Sequence, residues 1–380
     1  MSATSPQQQQ QQQQQEKPLL RCPLAQLRKE RAEKMTLSFG PHVFENVAAF
    51  EASMNNAPIF TRSLVERAAN EAEMMRNGKD IIEIPHICGG GVKKIRPTGA
   101  DAIKWSWLTT FAIAECKGKA PGYVIKSDYT YFECSDVETL KGPVETLASN
   151  DRSLHVWKQI RAMPIPPALD GVKGFEAMVL QSKIWQSLKK RLDELPMRIE
   201  NVVCIALGGL LSEKELQLRT TTQHLLACFT SRHLSQRHAE ASGDALTIPI
   251  LARDPAYTFE DVRLLSHLEP PITVVSEPYQ YLTMTPSTLI IAINPPVFVP
   301  YLEMAADLCF PSGPAAMLSY EILDHPWQKD GMATALDPWT PRVGRMLEGM
   351  NSVWMGGEQG AENQVDKGYG NELHWYVRKE

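Results

Sequence analysis

From Asn201 onward the chain alternates short apolar runs with longer amphipathic ones. Runs of strand length occur at "NVVCIALG", "LTIPILA", "ITVVS", "STLIIAI" and "PAAMLSY". Helical periodicity fills most of the gaps, at 213–238, "TFEDVRLLSHL" and "PVFVPYLEMAADL". Strands that are apolar at nearly every position are buried on both faces, as in a parallel sheet covered by helices. The pattern therefore predicts an α/β fold: a Rossmann-like, doubly wound, mostly parallel sheet over 172–380. A last strand, "ELHWYVRK", is expected at an antiparallel edge.

Ahead of the sheet the pattern is less regular, and 37–150 reads as an N-terminal α+β region. In "FTRSLVERAANEAEMMRNG", Leu64, Val65, Ala68, Ala72 and Met75 recur at helical spacing between a Thr61 cap and a Gly78 stop. "DIIEIPHICGGGVKKIRP" reads as two strands around a glycine turn, "IKWSWLTTFAIAE" as an apolar helix and "GYVIKSDYTYFEC" as a strand. The proline cluster "MPIPPALDG", 163–171, is the expected linker. One long helix should follow, with Phe175, Met178, Val179, Trp185, Leu188, Leu192 and Leu195 on one side and Pro196 ending it. Gln7 to Gln15 is an unbroken glutamine tract with no apolar face to bury, so disorder is expected over 1–20.

Composition narrows the function classes. A chain of 380 residues, 43% hydrophobic and 22% charged, can bury a substantial core. Its net charge of -5, with no domain-wide basic surplus, argues against a nucleic-acid partner. The basic run at Lys189, Lys190 and Arg191 lies on an amphipathic pattern with acids close behind, and reads as a solvated helix face. Seven cysteines, an odd number with no C-x-x-C pair, suit a reduced compartment better than a disulfide framework. No stretch approaches the ~18 apolar residues of a membrane span, and no apolar signal core opens the chain. Cytosol or nucleus is the expected location, without membrane association.

In an open α/β sheet, ligands bind outside the carboxyl ends of the strands where the strand order reverses. Three stretches are expected there. Gly208-Gly209 follows the first strand, with Ser212 as a possible N-cap; the pair permits close approach of a ligand or simply makes a tight turn. Leu210 and Leu211 depart from the G-x-G-x-x-G fingerprint. Asp254, in "LARDPAY", suits the hydroxyls of a ribose in a dinucleotide or in S-adenosylmethionine, or else caps the helix beginning near Thr258. Asn294, in "INPPVF", is reminiscent of aminomethyltransferases, although Val297 stands where those enzymes place an aromatic residue, and prolines also commonly start helices. His224 and Cys228 lie one helical turn apart without further ligands at zinc spacing, and "GGGVKK" reads as a hairpin tip.

Several motifs in order carry a family resemblance: "VVCIALGGL", "TTTQHLLACF" with Gln223-His224, "ARDPAYTFED", "ITVVSEPYQYLTMTPSTLIIAINPP" and the tail "LDPWTPRVGRMLEGM…GYGNELHWYVRK". Together they resemble the SRR-like (Sensitivity to Red Light Reduced) domain in its fungal form, from about residue 170 to 380. The resemblance implies a regulatory protein without an agreed catalytic activity, in a family linked to light signalling, circadian timing and haem biosynthesis regulation. It transfers no catalytic residue and names no cofactor. The reading that follows is a soluble intracellular regulator with possible protein partners, holding a nucleotide-type small ligand on Gly208, Gly209, Ser212, Asp254 and Asn294. Its rivals are an S-adenosylmethionine-dependent methyltransferase, a nicotinamide oxidoreductase, and a ligand-free interaction module in which Leu210 and Leu211 plug the glycine turn.

Overall fold

The structure is a computed structural model. It describes residues 42–76, 82–85, 92–95, 104–107, 123–126, 160, 163–212, 215–243, 246–254, 256–275, 277–293, 295, 299–322, 340–355, 363–369 and 373–380. The glutamine tract, Asn294 and the tip of "GGGVKK" lie outside the described residues.

A seven-stranded sheet organises the chain. In chain order its strands are β5 (Asn201–Ile205), β8 (Ile250–Arg253), β9 (Ile272–Val274), β10 (Thr288–Ala292), β11 (Ala316–Tyr320), β12 (Met350–Trp354) and β13 (Leu373–Arg378). Their spatial order is β12-β13-β11-β10-β5-β8-β9. The pairs β9–β8, β8–β5, β5–β10 and β10–β11 are parallel; β13 runs antiparallel to both β11 and β12. The expectation of a mostly parallel α/β sheet is met. One detail is corrected: β13 is interior, and the edge strand is β12. Its exposed Asn351 and Ser352 suit an edge, whereas Leu373, Trp375 and Tyr376 of β13 are buried.

Four short strands precede the sheet: β1 (Ile82–Pro85) pairs with β2 (Val92–Ile95), and β3 (Lys104–Trp107) with β4 (Tyr123–Lys126), both antiparallel. The first pair was expected. The second puts a strand at Lys104–Trp107, where the helix expected at "IKWSWLTTFAIAE" was to begin; the rest of that stretch lies outside the described residues. "KWSW" alternates aromatic and polar residues with period two, and a partner strand at "YVIK" satisfies its backbone. A further two-residue pair, β6 (Leu211–Ser212) with β7 (Glu215–Leu216), forms a small hairpin beyond β5.

Helices cover both faces. The first face carries α3 (Ala168–Leu180), α4 (Lys183–Asp193), α5 (Leu218–Ser242), α6 (Phe259–Ser266) and α10 (Gln364–Tyr369), which share a core with Val202, Cys204, Leu289, Ile291 and Leu318. The second carries α1 (His42–Ser53), α2 (Arg62–Arg76), α7 (Tyr279–Leu282), α8 (Tyr301–Leu308) and α9 (Pro341–Glu348), around Val203, Ile205, Ile290 and Met317. Alternate residues of β5 and β10 thus enter opposite cores. Burying each such side chain fully contributes about 1.5–3 kcal/mol.

The single periodic helix expected after the prolines is two. Ser182 breaks it: its hydroxyl accepts the Trp185 N–H at 3.1 Å and caps α4, while donating to Val179 O at 2.6 Å. The proline stretch runs directly into α3, where Leu169 is already buried.

Helices α1 and α2 belong to the second core, through Val47, Phe50, Ile59, Phe60, Val65 and Ala68. A buried ion cluster fastens them. Arg342 Nη1 meets Glu51 Oε1 at 2.5 Å and Arg342 Nε meets Asp307 Oδ1 at 2.8 Å. Asp307 Oδ2 also accepts the N–H groups of Ile59 and Phe60, at 2.9 and 2.8 Å. Burial raises the Glu51 carboxyl pKa above its ordinary value, partly offset by Arg342. No helix among the described residues is long and apolar enough to cross a membrane.

Candidate functional site

Because β5, β8 and β10 are parallel, the residues that follow Ile205, Arg253 and Ala292 gather at one edge of the sheet. Between β5 and β10 the strand order reverses: the chain goes outward through β8 and β9, then returns to β10 on the other side of β5.

The turn after β5 is built from its backbone outward. Ala206, at φ 54, and Gly208, at φ 80, both lie in the left-handed region. Gly208 is required twice over, since a Cβ there would stand 2.7 Å from Thr220 Cγ2 in the first turn of α5. A Cβ on Gly209 would come to 3.2 Å from Ala256 O. The turn is therefore wedged between α5 and the loop after β8.

Two carboxylates staple it. Asp254, the first residue after β8, accepts the Gly208 N–H on Oδ2 at 2.6 Å and the Ala256 N–H on Oδ1 at 2.7 Å. Asp261 accepts the N–H groups of Leu210 and Leu211 on Oδ1, at 2.9 and 3.1 Å. Its Oδ2 accepts the Thr258 N–H at 2.8 Å and the Thr258 hydroxyl at 2.7 Å. Burial raises the Asp254 carboxyl pKa, and the two N–H donors partly offset that.

Thr258, not Asp254, caps α6: its Oγ1 accepts the Asp261 N–H at 3.2 Å, completing a reciprocal capping box. Asp261 was missed by the sequence reading. The signal was present, because "TFED" has the Thr-x-x-acid spacing of that box. Ser212 sits in β6 and does not open the helix, which begins at Leu218 with Gln217 as its N-cap residue. Gly208, Gly209 and Asp254 are thus brought together, Ser212 stands in the adjoining hairpin, and Asn294 lies outside the described residues.

Residues 180–307 match the family model of the SRR1 domain. The chain carries an SRR-like domain. No curated protein and no solved structure matched the chain. The matched span of the SRR-like domain holds β5, β8, β9 and β10 with the glycine turn, both staple carboxylates and helix α5. Strands β11, β12 and β13 lie outside the matched span, as do α1 and α2.

Within the SRR-like domain, His224 of α5 supports the turn from below. Thr220 O can only accept, so His224 Nδ1 carries the proton and donates to it at 2.6 Å. Nε2 is then the acceptor for the Tyr257 hydroxyl at 2.8 Å. Burial lowers the His224 pKa to about 4, which keeps the ring neutral. Cys228, one turn on, gives its thiol to Pro270 O at 3.4 Å, and no group of three metal-ligating side chains occurs among the described residues.

Two charged groups flank the edge. Beyond β8, Arg253 Nε stands 3.8 Å from Glu277 Oε2, and Gln280 Nε2 donates to the same oxygen at 2.6 Å. On the β11 side, Arg219 at the start of α5 donates to the Tyr320 hydroxyl, and its guanidinium lies 5.8 and 6.0 Å from the ring centroids of Tyr320 and Tyr369. Asp254, Asp261 and Glu277 stand with Arg253 on the β8 and β9 side of the edge, and Arg219 with two tyrosine rings on the β11 side.

Proposed function

We propose that the SRR-like domain is a regulatory module on a Rossmann-like sheet that holds a nucleotide-type small ligand at the rim where β5 meets β10. The observation that carries the reading is the contact between Gly208 and Asp254: the left-handed glycine of the first strand end is tied at 2.6 Å to the acid of the second. In doubly wound sheets these two positions receive a ligand's backbone-approaching part and its ribose. Asn294, directly after Ile293 at the end of β10, is the third group proposed for this ligand, and Gly209 and Ser212 complete the set on the β5 side.

A panel of adenine, nicotinamide, flavin and S-adenosyl compounds tests the reading by thermal shift. A true ligand at a hundred times its Kd stabilises by about 2.7 kcal/mol, enough to raise the Tm measurably. Failure of every compound to do so overturns it. One observation favours a second reading, a ligand-free interaction module: Leu210 is wholly buried under the turn. Under that reading no compound of the panel moves the Tm.

A further inference from the structure

The carboxylates on the glycine turn bear on which nucleotide-type ligand the rim can take. Pyrophosphate cofactors need backbone N–H groups free to meet phosphate oxygens. Here Ala206 donates to Arg253 O at 3.0 Å, Gly208 to Asp254, and Leu210 and Leu211 to Asp261. Three of these four donors are taken by carboxylates and the fourth by a carbonyl. A phosphate brought to the turn would face two carboxylates.

The two acids differ in what they have left to offer. A carboxylate presents about four acceptor positions. Asp261 is fully buried and takes four hydrogen bonds, so it is saturated and serves as a staple. Asp254 takes two, one on each oxygen, which leaves one further position on each. That matches a vicinal diol, whose two hydroxyls donate side by side.

Strand order supplies an independent argument. Taken as one to seven in chain order, the sheet reads 3-2-1-4-5-7-6. Strand seven alone is reversed, since β12 and β11 are both antiparallel to β13 and so run alike. Dinucleotide folds continue as 3-2-1-4-5-6. The reversed seventh strand inserted beside the fifth departs from that order.

We infer that the ligand of this rim is an S-adenosyl compound, its ribose diol on Asp254, and not a pyrophosphate dinucleotide. The inference rests on the ligand site proposed above. Isothermal titration of the full chain with S-adenosylmethionine, S-adenosylhomocysteine and NAD separates the two claims. The expected result is binding of at least one S-adenosyl compound about tenfold or more tighter than NAD. Equal or tighter binding of NAD overturns the inference while leaving the site; binding of none of the three overturns the inference, and the site falls with it when the thermal-shift panel is silent as well. Asp254→Asn places an amide donor against one of the two N–H groups and should weaken S-adenosyl binding about tenfold or more. Unchanged affinity in a folded Asp254→Asn protein overturns the assignment of the diol. Should that variant fail to fold, the wild-type preference between S-adenosyl compounds and NAD still decides.

Discussion

Two buried carboxylate clusters hold this molecule together, and they are closed differently. On the second face, Glu51 and Asp307 receive backbone N–H groups and also a guanidinium, Arg342, directly between them. At the glycine turn, Asp254 and Asp261 receive only N–H and O–H donors within hydrogen-bond reach among the described residues. Arg253 stands close, but its guanidinium is turned to the Asp254 carbonyl and to Glu277. Buried charge without a contacting counter-charge is costly unless dipoles replace the lost water. The Arg342 cluster is a latch, complete in itself, that ties α1 and the Ile59–Phe60 segment ahead of α2 to α8 and α9. The turn cluster is held by N–H and O–H dipoles with Arg253 nearby but not in contact, and Asp254 has two acceptor positions unused within the described residues.

Each cluster can be broken separately. Arg342→Met should have the largest effect, costing about 3–5 kcal/mol in denaturant unfolding because two acids stay buried without a cation. A loss below about 1 kcal/mol would erase the distinction drawn here. His224 comes next, through pH. Its folded pKa, about 4, lies below the ordinary 6.5, so its contribution is present above 6.5 and is lost as pH falls toward 4. The loss reaches on the order of 3 kcal/mol. Asp254 and Glu51, raised by burial, act in the opposite sense: their contribution is present below the ordinary carboxylate pKa and is lost as pH rises through the folded value. Comparing the pH–stability profiles of wild type and His224→Gln isolates the histidine component, which should vanish in the variant.

Asp261→Ala frees the N–H groups of Leu210 and Leu211 and dismantles the cap of α6, for a cost of about 2–3 kcal/mol. It should also loosen the turn more than Thr258→Ala does. The latter removes the cap hydroxyl but leaves Asp261 on the two leucine amides, and is expected to cost about 1 kcal/mol. Equal losses in the two variants would show that the cap, not the staple, is what Asp261 contributes.

The sheet was legible because its central strands are apolar at nearly every position, the pattern of two-sided burial; β5 and β10 lie within the expected runs "NVVCIALG" and "STLIIAI", and β8 begins within "LTIPILA" and ends one residue past it. The rim was legible in part. Glycine and acid are recognisable as types, and parallel strand ends bring Gly208 and Asp254 together. What Asp254 binds within the protein was not legible, because its partners are backbone amides, and every residue but proline carries one. Asp261 had a local signal in "TFED", but its reach to Leu210 and Leu211 depends on how the β8 loop folds over the turn. The break at Ser182 and the interior place of β13 turn on single hydrogen bonds and on strand competition, which periodicity does not encode. The latch depends on contacts such as Glu51 with Arg342, 291 positions apart.

Amide hydrogen exchange at the glycine turn tests the central claim most directly. With S-adenosylmethionine added to the full chain, exchange at Gly208 and Ala256, the two amides held by Asp254, should slow, while the Ile59 and Phe60 amides at the Arg342 latch stay unchanged. Protection that appears elsewhere and leaves Gly208 and Ala256 unaltered would contradict the account.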